Sequence, residues 1–502
     1  MLDRRHFLKA AGLLAFWPLG CAGPQSRAGG TLVNDIHSQL NPTMVDDVAT
    51  VESLEEVQTV VREAGRRELP VCIAGGRHAM GAQQFATDAV LVDTTRLNRV
   101  LNFDRQTGRI EVESGIQWPK LMGHLHKVQE GGQSQWGIAQ KQTGADRLSM
   151  GGALAANIHG RGLAMKPIIA DVESFTLVDA DGNLRACNRR ENSELFRLVI
   201  GGYGLFGIVY SVTLRLVRRQ KVQRIVKTVA LEDLMSGFEK RIAKGFLYGD
   251  FQFNIDEKSP AFLRKGIFSC YGPVDPSTPI PEVGKQLSDA DWRKLIHLAH
   301  TDKREGFRLY ADHYQSTSGQ IYWSDTHQSS AYLDDYHRKL DQKLGAKDSA
   351  TEIITEIYVP RRALVDFMDE VRRDFRKNGV NVIYGTIRLV ERDEESFLAW
   401  AKQPFACVIF NLHTVHTPEG LRHSASAFRR IIDMAIKRGG SYYLTYHKYA
   451  IRRQIEACYP RFAKFLALKK KYDPEERFQS DWYRHHKKMF AGEVTNHKRN
   501  PF

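Results

Sequence analysis

Three short segments hold most of the residues whose types and spacing could do chemistry. The first is Ala74, Gly75, Gly76, Arg77, His78, Ala79, Met80 and Gly81. The second runs from Ser149 to Gly160 and contains Gly151, Gly152, Ala153, Ala155, Ala156, Asn157, Ile158 and His159. The third runs from Gly201 to Ile208 and includes Gly207. Each concentrates glycine beside an apolar, strand-like run. Such backbone can approach a ligand closely or take positive φ, and its amides can point at a pyrophosphate. His78 and His159 lie inside the first two segments, where a neutral imidazole can act as nucleophile, base or hydrogen-bonding partner.

Gly202, Gly204 and Gly207 spell a dinucleotide fingerprint, but its context is wrong. That fingerprint needs a following helix to receive the pyrophosphate and an acidic residue about 20 positions on. Ile208 to Leu216 instead alternates with period two, and Lys227 stands where the acid belongs. The segment reads as a turn entering a strand. His297 with His300, and His413 with His416, have spacings reminiscent of metal ligands. No carboxylate constellation accompanies them in the sequence, so they read as core or surface histidines and no metal site is expected. Cys72, Cys187, Cys270, Cys407 and Cys458 are far apart and imply neither a zinc site nor a disulfide framework.

The elements that must position these residues begin with a helix from Ser53 to Ala64, where Leu54, Val57, Val60 and Val61 share a face behind a Ser53 cap with Glu56 three residues on. Leu69 to Ala74 reads as a buried strand leading into the Gly75, Gly76 turn. Val90 to Asp93 and Ile110 to Glu113 are further strands, and Trp118 to Val128 is a helix. From about residue 220 the signature glycines thin out, and a polar, histidine-rich stretch occupies 280–350. Beyond it, 351–358, 361–376 and 380–390 read as strand, helix and strand.

A chain of 502 residues with 42% apolar and 26% charged residues predicts more than one domain of ordinary globular composition. The net charge of +14 is dispersed, with Lys469 to Lys471 the longest basic run, so a nucleic-acid partner is not expected. At the N-terminus, Arg4 and Arg5 precede the apolar segment Ala10 to Gly20, the pattern of a twin-arginine export signal over residues 1–30. Eleven residues with Pro18 inside are too few to span a bilayer, which needs about 20. The signal predicts passage through the twin-arginine machinery to the periplasm. Membrane contact is expected only if Cys21, which ends a lipoprotein-like Leu19, Gly20, Cys21 sequence, is lipidated.

In this order and spacing the glycine segments resemble the FAD-binding domain of the vanillyl-alcohol oxidase (PCMH-type) superfamily, most of all decaprenylphosphoryl-ribose oxidases and aldonolactone and alditol oxidases. The likeness covers roughly 42–218 and returns at 441–486. It implies an α+β fold with a two-subdomain FAD-binding domain at 42–218 and an α+β substrate or cap domain at 219–440. A C-terminal segment, 441–502, would return to complete the flavin site. It also implies FAD held by Ala74 to Gly81, Gly144, Ser149, Gly151, Gly152, Asn157, Ile158, His159, Gly207 and Ile208. His78 matches a histidine that in many relatives is bonded to a methyl of the isoalloxazine, and no cysteine in 133–160 offers a second link.

Arg388 sits where aldonolactone and alditol oxidases keep a Glu-x-Arg pair, but Thr386 replaces the glutamate, which argues against simple lactones and alditols. Tyr446, His447 and Lys448 occupy the region where relatives hold a polar group over the flavin. The resemblance makes this trio, His447 first, the acceptor of the substrate's hydroxyl proton. The implied protein is an exported FAD-dependent oxidoreductase acting on a secondary alcohol of a sugar, polyol or sugar-derived molecule, with oxygen, a quinone or another carrier as electron acceptor. Its alternatives are an aldonolactone oxidase or dehydrogenase, of the D-arabinono-1,4-lactone oxidase kind, and a non-catalytic flavin- or sugar-binding protein.

Overall fold

The computed structural model of the chain describes residues 30–491 apart from 282, 283, 331, 332 and 334. The expected export signal, with Arg4, Arg5 and Cys21, lies outside the described residues. The first helix, Leu54–Arg66, starts as its cap dictates: Ser53 accepts from the Glu56 amide at 3.2 Å and the Glu56 carboxylate accepts from the Glu52 amide at 2.7 Å. Its apolar face, with Val57 and Val61, is buried in the same cluster as the strands that follow. Those strands, Asp47–Thr50, Val90–Asp93 and Val71–Ala74, form a parallel sheet in that order. Late in the chain, Arg477 to Gln479 run alongside Val71, whose amide donates to the Arg477 carbonyl at 2.6 Å. A late segment of the chain thus lies along the edge of this early sheet.

Next comes an antiparallel five-stranded sheet, ordered Leu184–Asn188, Val172–Val178, Ile208–Arg215, Arg109–Glu113 and Val100–Asp104. Ile208–Arg215 pairs on both sides here, so the glycine-rich turn before it does enter a strand rather than a helix.

The second half builds an eight-stranded antiparallel sheet, ordered Ile321–Trp323, Lys221–Ala230, Lys265–Pro273, Tyr248–Phe253, Val382–Val390, Phe405–Val415, Ala350–Pro360 and Ser441–Tyr442. Because Ser441–Tyr442 is its edge strand, this sheet extends past residue 440. Side chains alternate across a strand, and the two faces differ sharply. On one, the helices Leu364–Asn378 and Pro418–Ile436 bury Phe375 and Phe428. The other carries Ile354, Glu356, Thr386, Arg388, Ile409 and Asn411 and looks into a cleft shared with the glycine turns. The histidine-rich stretch supplies two helices, Asp289–Thr301 and Lys303–Ser316, capped by Ser288 and Asp302, which pack on strands of this sheet. Among the described residues no helix is long and apolar enough to cross a membrane.

Candidate active site

The strand Val71–Ala74 delivers the turn Gly75 to His78 directly onto the loop before the helix Met150–Ala156. Close approach accounts for two of the glycines. A Cβ on Gly75 would stand 2.0 Å from Ser149 Oγ, and one on Gly76 would stand 2.3 Å from the Arg147 carbonyl oxygen. Arg77 takes φ 56° and its guanidinium lies 3.2 Å from Asp93, fixing the turn from outside. Ser149 caps the short helix, its hydroxyl accepting from the Gly152 amide at 3.3 Å, while the Met150 and Gly151 amides donate to the carbonyls of Ile116 and Ser114 at 2.9 and 2.7 Å, anchoring the helix start beside the cleft. Gly207 has φ 143°, where a side chain would be strained, and a Cβ there would lie 2.5 Å from the Val178 carbonyl.

These turns and the large sheet enclose a cleft with about 1770 Å³ of empty space, part of it open to solvent. Gly75 to Met80, Gly144, Ser149, Gly151, Gly152, Ile158, His159 and Gly207 line it. Four expected cofactor residues stand behind it. Ala74 ends its strand, paired with Asp93. The Gly81 amide donates to Gln83 at 3.0 Å. Ile208 is fully buried against the helix Leu54–Arg66 cluster. Asn157 takes the left-handed conformation, φ 49°, at the end of its helix and donates to Asp393 at 2.9 Å, joining the helix to the loop after Val382–Val390.

Across the cleft, the sheet register sets the chemistry. Glu356 pairs with Ile409, which pairs with Thr386, while Arg388 pairs with Cys407 one rung away on the same face. Glu356, two strands over, thus puts a carboxylate on the same face as Thr386 and Arg388. Glu356 accepts from the Tyr358 hydroxyl at 2.9 Å and lies 3.3 Å from His159 Nε2. Burial opposes its charge, but His159, Arg388 and Tyr358 together hold it below the usual carboxylate range. His159 Nδ1 is 3.0 Å from the Gly160 carbonyl, which can only accept, so Nδ1 carries a hydrogen, and Nε2 faces the Glu356 carboxylate.

The C-terminal trio divides. Tyr446 lines the cleft, and burial, then the charge of Glu356, pushes its phenol well above the ordinary value, so it can donate a hydrogen bond but not serve as a base near neutrality. His447 does not reach the cleft. It is buried on the opposite face of the sheet, stacked on Phe428 at 4.4 Å and 3.2 Å from Thr355 Oγ1. Thr355 and Glu356 are neighbours in one strand and so point to opposite faces. Burial lowers the pKa of His447 to about 3, as suits a neutral core side chain. Lys448 is also outside the cleft lining, its ammonium disfavoured by burial and supported by the charge of Asp481 in the C-terminal helix.

Three participants were hidden in the sequence. Glu356 lay in a strand whose alternation was readable but whose partner strand was not. Gln83 donates to the carbonyls of Leu444 and Thr445 at 3.0 and 2.8 Å, tying the first turn to the segment that presents Tyr446. Tyr443 donates to the Ala156 carbonyl at 2.6 Å. The expected absence of a carboxylate beside the histidine pairs is also corrected, because Glu352 stands directly across the ladder from His413 and 3.4 Å from His300.

The cleft fits a large polar ligand. Ser114 Oγ, both amide atoms of Gln142, Thr143 Oγ1, Thr386 Oγ1 and Arg388 Nε are buried without a hydrogen-bond partner, and all six atoms belong to residues lining it. Each such group costs about 1–3 kcal/mol unless something bonds it. A glycine cradle facing a polar, sheet-borne wall defines a flavin-nucleotide site.

Comparison with known proteins agrees. Residues 45–188 match the family described as FAD binding domain. The bovine (Bos taurus) L-gulonolactone oxidase is 26% identical over 204 residues, 40% of this chain and 44% of that protein. An L-gulono-1,4-lactone dehydrogenase of Mycobacterium tuberculosis is 23% identical over 434 residues, 86% of this chain and 93% of that protein. Cytokinin dehydrogenase 9 of Oryza sativa subsp. japonica is 24% identical, covering 87% of this chain and 83% of that protein. Against the gulonolactone oxidases, the chain spans less than half of their length. Residues 45–188 thus form an FAD-binding domain, and the chain is similar, at low identity, to lactone oxidases and dehydrogenases and to a cytokinin dehydrogenase.

Proposed function

We propose that this protein is an FAD-dependent oxidoreductase of the aldonolactone oxidase and dehydrogenase type, oxidising a CH–OH carbon of a small sugar-derived molecule. The observation that carries this reading is the presence of Glu356 and Arg388 on one sheet face opposite the glycine cradle. It restores the carboxylate and guanidinium pair that Thr386 alone would have broken, and so removes the sequence-based objection to lactones. The relatives' names, with two lactone-oxidising enzymes among the three described, support the same class.

Arg388 binds and orients a substrate oxygen, and Tyr446, near Glu356 and Arg388 in the cleft lining, donates a hydrogen bond to it. His159 and Glu356 take up the hydroxyl proton as a pair. With Nδ1–H committed to the Gly160 carbonyl, Nε2 and the Glu356 carboxylate face each other 3.3 Å apart and can hold one proton between them. FAD, when bound, supplies the hydride acceptor. His78, in the cleft wall, is the proposed point of covalent attachment. Oxygen, a quinone or another carrier takes the electrons away.

The test is anaerobic mixing of the purified yellow protein with a panel of aldonolactones, alditols and aldoses. Bleaching of the visible flavin band by members of this panel is expected. A flavin that none of them reduces, though dithionite does, would overturn the assignment. We also propose export through the twin-arginine system, carried by Arg4 and Arg5. Replacing both with lysine should retain the protein in the cytoplasm, because lysine does not reproduce paired guanidinium geometry; undiminished periplasmic delivery would refute it.

A further inference from the structure

Beyond the flavin cleft, on the same sheet face, lies a second group of side chains that the proposed reaction does not use. Glu352 is two residues before Ile354, and His413 two residues after Asn411, so both follow the cleft-lining residues along their strands. The helix Asp289–Thr301 lowers His300 onto them from the cap. Glu352 Oε1 lies 3.4 Å from His300 Nε2 and 3.6 Å from His413 Nδ1, and all three atoms fall within 4.8 Å of one another.

None of these three atoms has a hydrogen bond of acceptable geometry, although each is buried. The side chains of His300 and Glu352 are each only 4% exposed, and that of His413 is 19% exposed, leaving an approach from solvent. Three convergent, unsatisfied donor atoms in this setting call for a cation. The other carboxylate oxygen, Oε2, is held separately: the Tyr336 hydroxyl donates to it and His337 Nδ1 lies 3.1 Å away. A carboxylate fixed through one oxygen with the other left open is how outer partners orient a ligating group.

We propose that His300, Glu352 and His413 form a binding site for a divalent transition metal ion, with Zn²⁺ the best match, and that Tyr336 and His337 orient its carboxylate. Two imidazoles and a carboxylate suit zinc, with water in the fourth position. Metal bonds of about 2.0–2.1 Å give a tetrahedron edges of about 3.3–3.4 Å, and an octahedron at the same bond length about 2.9–3.0 Å. The observed 3.4 and 3.6 Å favour the tetrahedron. The ligands come from two strands and a cap helix, so the ion fastens the helix to the sheet at one end of the substrate cleft. This inference does not depend on the identity of the substrate.

The experiment uses full-length flavoprotein, stripped with a chelator, dialysed, loaded with Zn²⁺ and desalted. One zinc per chain by mass spectrometry, with a raised melting temperature, is expected. The double variant His300→Ala/His413→Ala should lose the stoichiometric ion and the rise in melting temperature while keeping its flavin spectrum. Tyr336→Phe should weaken binding by about 10–100-fold. Wild-type protein that holds no zinc after desalting, or a double variant that still holds one, would overturn the site. If the double variant fails to fold, Co²⁺ added to wild type decides: intense d–d bands to the red of the flavin absorption support a tetrahedral site, and their absence refutes it.

Discussion

Replacing Glu356 with glutamine tests the proton-accepting pair with almost no change in shape. In the reacting complex His159 gains positive charge 3.3 Å from the Glu356 carboxylate, with both side chains only 4% exposed. At an effective dielectric of about 20, unit charges at that separation attract by about 5 kcal/mol, nearly four powers of ten in rate. The glutamine carbonyl recovers part of this and can still accept from Tyr358. The expected fall in the anaerobic flavin-reduction rate is therefore about 10² to 10⁴, the range for a positioned base. The assay is stopped-flow bleaching at saturating substrate, across pH. In wild type the rate should rise with pH, because the pair must be deprotonated to accept the proton. The flavin spectrum of the resting protein should not change. A variant that reduces its flavin within threefold of wild type would remove the pair from the mechanism.

His447→Leu should leave the reduction rate within a few-fold of wild type, since His447 lies on the far side of the sheet, whereas a large loss would return it to the mechanism. It should also change acid stability. The folded pKa of about 3 lies below the unfolded value near 6.5, so the unfolded chain binds the extra proton first and stability falls on acidification between those values. Between pH 7 and pH 5 the variant should lose about 2 kcal/mol less stability than wild type, about 1 kcal/mol per pH unit. Gly76→Ala forces a Cβ to within 2.3 Å of a backbone carbonyl, which cannot swing away as a side chain can. Overpacking of about 1–3 kcal/mol should leave the protein poor in flavin as purified, and full occupancy would show that the turn relaxes freely. Denatured wild-type protein should keep flavin fluorescence on a gel and His78→Ala should lose it; flavin that washes out of wild type on denaturation would leave FAD bound without the link.

The glycine cradle was legible from the chain alone because its constraints are local. Gly76 and Gly207 stand where backbone packs against backbone, Gly75 where it packs against the Ser149 side chain, and the small residues around Ser149 mark a helix start at the cleft. The strand after Gly207 was legible for the same reason, since period-two alternation from Ile208 overrides the dinucleotide fingerprint. The strands and helix around Glu356, Arg388 and the segment 361–376 were likewise visible as elements. Their pairing was not. Alternation shows that Glu356 and Arg388 each lie on one face of a strand, but only the order Val382–Val390, Phe405–Val415, Ala350–Pro360 makes those faces the same and turns them to the cleft. His447 is the counterpart: one residue from Tyr446 in sequence, it is separated from the cleft by the thickness of a sheet. Glu352, His300 and His413 meet for the same reason, through a cross-strand register and a helix docking set by long-range packing, which no spacing along the chain records.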